Sequence, residues 1–164
     1  MAQSIKNANN ENFPVGSWLI SNTNRYHVSC FYEFARAADD IADNPELTSD
    51  KKIKLLNGFE DALLGKKSMD PAFLQGSKMA ESLRQTGINI KHCNDLILAF
   101  KQDALKSRYD NWSDLIAYCN LSAAPVGRYL IELHGGSKNG YWASDSLCVA
   151  LQLINHLQDC GEDY

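Results

Sequence analysis

No stretch of this sequence is long and apolar enough to read as a membrane span. The most apolar stretches, residues 126–133 and 146–157, are short. They are interrupted by Arg128 and Glu132, and by Gln152 and Asn155, well below the ~20 apolar residues a spanning helix needs. The N-terminus, polar and Asn-rich over its first twelve residues, lacks the apolar segment of a secretory signal. A cytoplasmic location is therefore expected. The five cysteines (Cys30, Cys93, Cys119, Cys148 and Cys160) are odd in number, widely spaced and without a Cys-x-x-Cys pair. That argues against a disulfide framework and a zinc ribbon, and for free thiols buried as small hydrophobes. No window alternates apolar and polar residues as a half-buried strand would. There is no internal repeat, no linker and no Gly-rich dinucleotide loop. Basic charge is not in excess: 16 Lys and Arg stand against 20 Asp and Glu, for a net charge of -4. This weighs against nucleic acid as a partner, but not against an anionic substrate, because a site can be locally positive or carry metal ions.

What is present is helical periodicity in 164 residues with an ordinary 45% of hydrophobic residues, enough for one domain. The fold class read from this pattern is all-α. Residues 25–43 read as a helix stopped by Asn44-Pro45, since proline disfavours a helical residue before it. A second helix starts at Thr48 or Ser49 and ends at Gly65. A third opens on Asp70-Pro71, a cap followed by proline at the first helical position, and runs to Gly87. A fourth spans about residues 91–106. A fifth runs from about Asn111 to Gly135-Gly136 and should kink at Pro125. A sixth starts at Tyr141 or Ser144. Small residues surround Pro125 (Ser122, Ala123, Ala124, Gly127), consistent either with close helix packing or with the wall of an apolar cavity.

Two patterns carry chemistry. Asp39 and Asp43, in Asp39-Asp40-Ile41-Ala42-Asp43, lie one helical turn apart, about 6 Å along the axis. Like charges at that spacing cost a few tenths of a kcal/mol. A solvated helix end would tolerate that cost, and Mg²⁺ would offset it, since it binds one or two carboxylates and keeps waters or phosphate oxygens as its other ligands. Arg25, Tyr32, Arg36, Asp39 and Asp43 advance by helical steps and form one stripe. It sets cations suited to phosphate oxygens beside carboxylates suited to a metal. The second pattern is Gln152, Asn155, Asp159 and Asp163, another stripe, flanked by Leu151, Leu153, Ile154 and Leu157. A polar stripe in a helix apolar on more than one side points to an internal site. Two such helices suggest two metal clusters facing each other across a helical cavity, with carboxylates roughly 8 to 15 Å apart and metal–ligand lengths of about 2.1 Å. The four histidines (His27, His92, His134, His156) form no metal-spaced cluster and read as surface or packing residues.

Four blocks resemble the squalene/phytoene synthase family: Glu11-Asn-Phe-Pro-Val15; residues 31–43; Tyr118-Cys-Asn-Leu-Ser-Ala-Ala-Pro-Val-Gly-Arg128; and the terminal block from Leu151. The first and third look most like the hydroxysqualene synthase branch of bacterial hopanoid pathways. The resemblance implies a helical bundle of the class I isoprenoid synthase type. It also implies Mg²⁺ held against a prenyl diphosphate by Asp39, Asp43, Asp159 and Asp163. Arg36 matches a diphosphate-binding arginine, and Arg25 joins it from the same stripe. Phe13, Tyr32, Tyr118, Gln152 and Asn155 match positions lining the substrate channel, with Tyr32 and Tyr118 counted among the catalytic residues. In the branch most resembled, presqualene diphosphate ionises and water captures the rearranged cation, without reduction by NADPH.

Two departures stand out. Ala42 occupies the place where eukaryotic squalene synthases carry Glu, a change that the bacterial branch tolerates. The family's members are also much longer than 164 residues, so the expectation is a flexible segment over residues 1–12 and a partial synthase domain over residues 13–164, with C-terminal helices missing. Greasy substrates make peripheral membrane contact an expectation, and uncovered apolar faces make self-association one. The competing readings within the family are head-to-head condensation of farnesyl diphosphate to squalene-type products and a phytoene synthase-like reaction; outside it they are a chain-elongating prenyl transferase or terpene cyclase, against which the Tyr118–Arg128 block speaks, and an inactive helical fragment.

Overall fold

The computed structural model describes residues 20–66, 70–106 and 108–159. The expected flexible segment over residues 1–12 lies outside them. Helix α1 (Asn22–Ala42) starts where Ser21 Oγ accepts the Asn24 amide at 3.3 Å. It buries Val28, Phe31, Phe34, Ala38 and Ala42, three or four residues apart, which is one helical face. The Lys52 amine donates to the Ala42 carbonyl and caps its end. Helix α2 (Ser49–Leu63) presents Leu56, Phe59, Ala62 and Leu63 to the same core. Asp70 caps a 3₁₀ turn (Pro71–Phe73) that leads into α3 (Leu74–Thr86). Gly87 ends α3 with φ 71° and its amide on the Leu83 carbonyl, a left-handed stop that glycine takes without strain.

Helix α4 (Lys91–Asp103) is central, burying Cys93, Leu96, Ile97 and Ala99. It ends three residues before the expected Lys106, in a turn at Ala104–Leu105. The continuous fifth helix expected from the sequence is instead two: α5 (Trp112–Ser122) and α6 (Ala124–Leu133). Pro125 does more than kink the chain. It has no amide hydrogen to return to the preceding turn, so the helix stops at Ala123 and restarts with the proline in the first turn, where that hydrogen is not needed. A second 3₁₀ turn (Lys138–Gly140) leads into α7 (Tyr141–Asp159).

The main core joins α1, α2, α3, α4 and α6. Phe31 stacks on Tyr129 with ring centroids 4.0 Å apart, and Phe34, Phe59 and Phe73 continue the aromatic layer. A smaller core joins α4, α5 and α7 through Ala99, Tyr118 and Cys119, against which Val149 and Leu153 pack. Gly127 lets α6 and α7 approach closely: a Cβ there would lie 2.2 Å from Ser144 Oγ and 2.8 Å from Cys148 Sγ. At Gly127, then, the small residues serve close packing. The outer face of α7 leaves Trp142, Leu147, Leu151, Ile154 and Leu157 exposed. Among the described residues no helix is long and apolar enough to cross a membrane. Cys30, Cys93 and Cys119 are buried free thiols and Cys148 is a half-buried one.

Candidate functional site

The C-terminal ends of α1 and α4 come together and bring carboxylates with them. Asp39 sits on the last full turn of α1, and Asp43, its C-cap, donates its amide to the Asp39 carbonyl at 2.9 Å. Asp103 is the final residue of α4. Both helix ends carry the negative pole of the peptide dipoles, so the local field already favours a cation. Burial pushes the Asp39 carboxyl up from 3.8 to about 6. The Asp43 charge adds to the rise, Arg36 opposes it, and Asp40 and Asp103 contribute the rest. Burial likewise pushes Asp103 up to about 6; the Tyr118 hydrogen bond opposes the rise and the Asp43 charge adds to it. Asp103 therefore feels Asp43, and Asp39 in turn feels Asp103.

Arg36 is the cation at this end. Its guanidinium reaches Asp39 Oδ2 at 3.2 Å and Asp40 Oδ1 at 2.8 Å. Tyr32, one turn earlier on α1, is half-buried. Arg25 is not gathered here. It lies fourteen residues before Asp39, about 21 Å along the helix axis, and its Nε donates to the Ile20 carbonyl at 2.9 Å.

Tyr118, buried on α5, donates its hydroxyl to Asp103 Oδ2 at 3.0 Å. Burial and the adjacent Asp103 charge raise its own pKa, so it stays a neutral phenol. Its ring meets Tyr109 (centroids 5.1 Å apart) and His156 of α7 (5.8 Å), and Tyr109 meets His156 at 6.4 Å. Lys106 stands over the Tyr109 ring, 4.8 Å from its centroid, and pairs with Asp114. The last described turn of α7, which carries Asp159 in its backbone, thus follows directly on the residue that packs against Tyr118. Gln152 and Asn155 are half-buried on the same helix.

The carboxylate end of α1 and the C-terminal part of α7 are joined through Asp103, Tyr118 and His156. Phe13 and Asp163 lie outside the described residues, and the Asp159 side chain is not described. Among the described residues, no three His, Cys, Asp or Glu side chains converge as a metal centre. Asp103, Tyr109 and His156 were not singled out from the sequence as site residues. His156 reads there as a surface or packing residue, and Asp103 and Tyr109 belong to neither of the two stripes. Only the crossing of α4, α5 and α7 brings them to Tyr118.

Residues 6–164 match the family model for squalene/phytoene synthase. The chain belongs to the squalene/phytoene synthase family. It is 43% identical over 162 residues to a hydroxysqualene synthase of Rhodopseudomonas palustris, covering 99% of this chain and 54% of that protein. It is 44% identical over 154 residues to a hydroxysqualene synthase of Sinorhizobium fredii, covering 94% and 52%. Among solved structures it resembles squalene synthase HpnC from Alicyclobacillus acidocaldarius, with TM-score 0.76, 30% identity, 93% of this chain and 57% of that one. The chain spans about half the length of the curated relatives it matches. The all-helical architecture of the described residues agrees with this synthase fold.

Proposed function

We propose that this chain serves a Mg²⁺-dependent reaction of a prenyl diphosphate in squalene or hopanoid biosynthesis, the conversion of presqualene diphosphate to hydroxysqualene. The observation that carries the reading is the electrostatic coupling of Asp39, Asp43 and Asp103 at two neighbouring helix C-termini beside Tyr118, in a chain whose relatives include hydroxysqualene synthases.

The donor set suits Mg²⁺. Carboxylate oxygens are its preferred ligands, and a carboxylate pair leaves positions for diphosphate oxygens. Carboxyls raised by burial and mutual repulsion gain from a cation. Asp39 and Asp43 would hold the metal from α1, and Asp159 and Asp163 from the chain's C-terminal stripe. Bound there, Mg²⁺ would neutralise the charge of the diphosphate and make it a better leaving group.

The protein's own groups bind, orient and exclude. Arg36 exchanges part of its pairing with Asp39 and Asp40 for phosphate oxygens, which a planar guanidinium can grip in pairs. Tyr118, held by Asp103, offers its aromatic face to a developing cation, as do Tyr109 and Tyr32. Phe13, Gln152 and Asn155 line the prenyl channel in this reading, and apolar walls keep bulk water from the cation. No hydride is transferred, so NADPH has no role.

The test is diphosphate release and triterpene formation from presqualene diphosphate, with and without Mg²⁺, read by mass spectrometry. Calorimetry of Mg²⁺-dependent farnesyl S-thiolodiphosphate binding runs beside it. Asp39→Asn and Asp43→Asn should each lower turnover by about 10²- to 10³-fold, the equivalent of several kcal/mol of charge stabilisation. Unchanged turnover in both variants, or wild-type chain that neither binds the analogue nor releases diphosphate, would overturn the proposal.

A further inference from the structure

His156 is a histidine at the Tyr118 cluster whose buried Nε2 meets no polar or charged group among the described residues. Among the other described histidines, His27 Nδ1 lies 2.8 Å from Ser82 Oγ and His134 Nδ1 lies 2.9 Å from the Leu130 carbonyl; the buried His92 makes no hydrogen bond, but its Nε2 lies 3.2 Å from the Glu132 carboxylate. His156 is half-buried, packed by ring contacts alone against Tyr118 and Tyr109, and its Nε2 is sealed from solvent with no hydrogen-bond partner among the described residues. Ser122 Oγ, one turn beyond Tyr118 on α5, is buried beside the Tyr118 hydroxyl. A buried polar atom left unpaired costs about 1–3 kcal/mol, and native proteins resolve such groups with a bound water or a ligand. The neighbouring polar atoms are already engaged: the Tyr118 hydroxyl donates to Asp103, and Arg36 is paired with Asp39 and Asp40.

We infer that His156 holds and deprotonates the water molecule that captures the substrate carbocation. This rests on the proposed reaction and names the group that completes it. The substrate C–O bond breaks with both electrons leaving on the diphosphate. The cation rearranges, a cyclopropane C–C bond opening into an alkene, and the water held at His156 Nε2 forms the new C–O bond with an oxygen lone pair. One proton of the resulting oxonium passes to Nε2, giving the secondary allylic alcohol and an imidazolium, whose Nε2 proton passes to the departing diphosphate. The imidazole must begin with its proton on Nδ1, so that Nε2 is an acceptor. The aromatic faces of Tyr109 and Tyr118 stabilise positive charge without attacking it; of the bases beside them, the Asp103 carboxylate already accepts the Tyr118 hydroxyl, and Nε2 is unengaged. Ser122 Oγ flanks the same phenol and can take the water's second hydrogen bond.

The experiment replaces His156 by Phe, which keeps an aromatic ring of similar size and removes both nitrogens, and by Gln, whose amide can still hold water. The readout is the fraction of hydroxylated triterpene per diphosphate released from presqualene diphosphate with Mg²⁺. His156→Phe should lower that fraction about tenfold or more in favour of olefins formed by proton loss, as expected for removal of a general base. His156→Gln should recover part of it. Urea midpoints of both variants report whether the fold is kept. A second readout needs no turnover: the imidazole ¹⁵N signals of histidine-labelled chain. They should show His156 as the Nδ1–H tautomer and should shift when farnesyl S-thiolodiphosphate and Mg²⁺ are added. An unchanged hydroxylated fraction in His156→Phe would overturn the inference. So would an Nε2–H tautomer, or an unmoved His156 signal in chain that calorimetry shows to bind the analogue. Absence of both diphosphate release and analogue binding in the wild-type chain is the separate failure of the proposed reaction.

Discussion

Asp39→Asn should stabilise the metal-free protein, and only above the acid range. The native carboxyl titrates at about 6, the unfolded one at 3.8. Between these values the native state holds a proton that the unfolded state has released, so stability falls as pH rises through the window. The penalty is small below 3.8, grows to about 6 and is complete above it. At 1.36 kcal/mol per pH unit the full gap corresponds to about 3 kcal/mol. The Asp39 side chain is 36% exposed, so solvent screening reduces this to about 1–1.5 kcal/mol. Asparagine keeps the shape and an acceptor for Arg36 but does not titrate. The stability difference between variant and wild type should therefore grow by about 1 kcal/mol from pH 4.0 to pH 7.5. That is a separation of about 0.5 M in urea midpoint for a chain of this size. Urea unfolding followed by circular dichroism in EDTA, at pH 4.0, 6.0 and 7.5, measures it. A variant-minus-wild-type difference constant across this range would refute the reasoning. It would mean that Asp39 is not desolvated and that the α1 and α4 ends are not joined as described. With Mg²⁺ and inorganic diphosphate at ten times their dissociation constant, the wild type should gain about 1.4 kcal/mol and Asp39→Asn less, reversing the order.

Tyr118→Phe removes the donor to Asp103 and should cost about 1–2 kcal/mol at pH 7.5, where the carboxylate loses a charge-assisted bond. The cost should be smaller at pH 4.5, below the Asp103 value of about 6, and Asp103→Asn in the same chain should restore part of it; equal losses at both pH values would count against the pairing. Gly127→Ala forces a methyl onto Ser144 and Cys148 and should cost about 1–3 kcal/mol by overpacking. Thermal melting checks this, with partial recovery expected on adding Ser144→Ala. Arg128 grips Asp145 through Nε at 2.9 Å and a terminal nitrogen at 2.6 Å. Arg128→Lys keeps one of the two contacts and should lower the urea-derived stability by about 0.5–1 kcal/mol.

Much of the architecture is written in local pattern. Asp70-Pro71, Gly87 and Asn111 act within a few residues of themselves, so the helix starts and stops they encode are legible without a fold, whereas α1 begins at Asn22, three residues before the expected Arg25. The apolar spacing of α1 announces its buried face before its partners are known. The Asp39–Asp43 pair is legible for the same reason: one helical turn fixes its geometry. The break at Pro125 was legible only as a disturbance. Whether proline bends a helix or separates two depends on whether both halves can pack independently, and here α6 turns away to bury Tyr129 against Phe31 while α5 keeps Tyr118 against Asp103.

By itself the sequence determined an all-helical chain, the family blocks along it and the acid pair of α1, because each follows from residue types at short range. Only the tertiary structure decided that Asp103 joins that pair, that Tyr118 bonds to it, and that His156 reaches both tyrosines from a helix nearly forty residues away. Those relations arise from helix crossings. A crossing is set by the summed packing of whole faces, such as Val149 and Leu153 on Ala99 and Cys119, and no local spacing records which faces will meet.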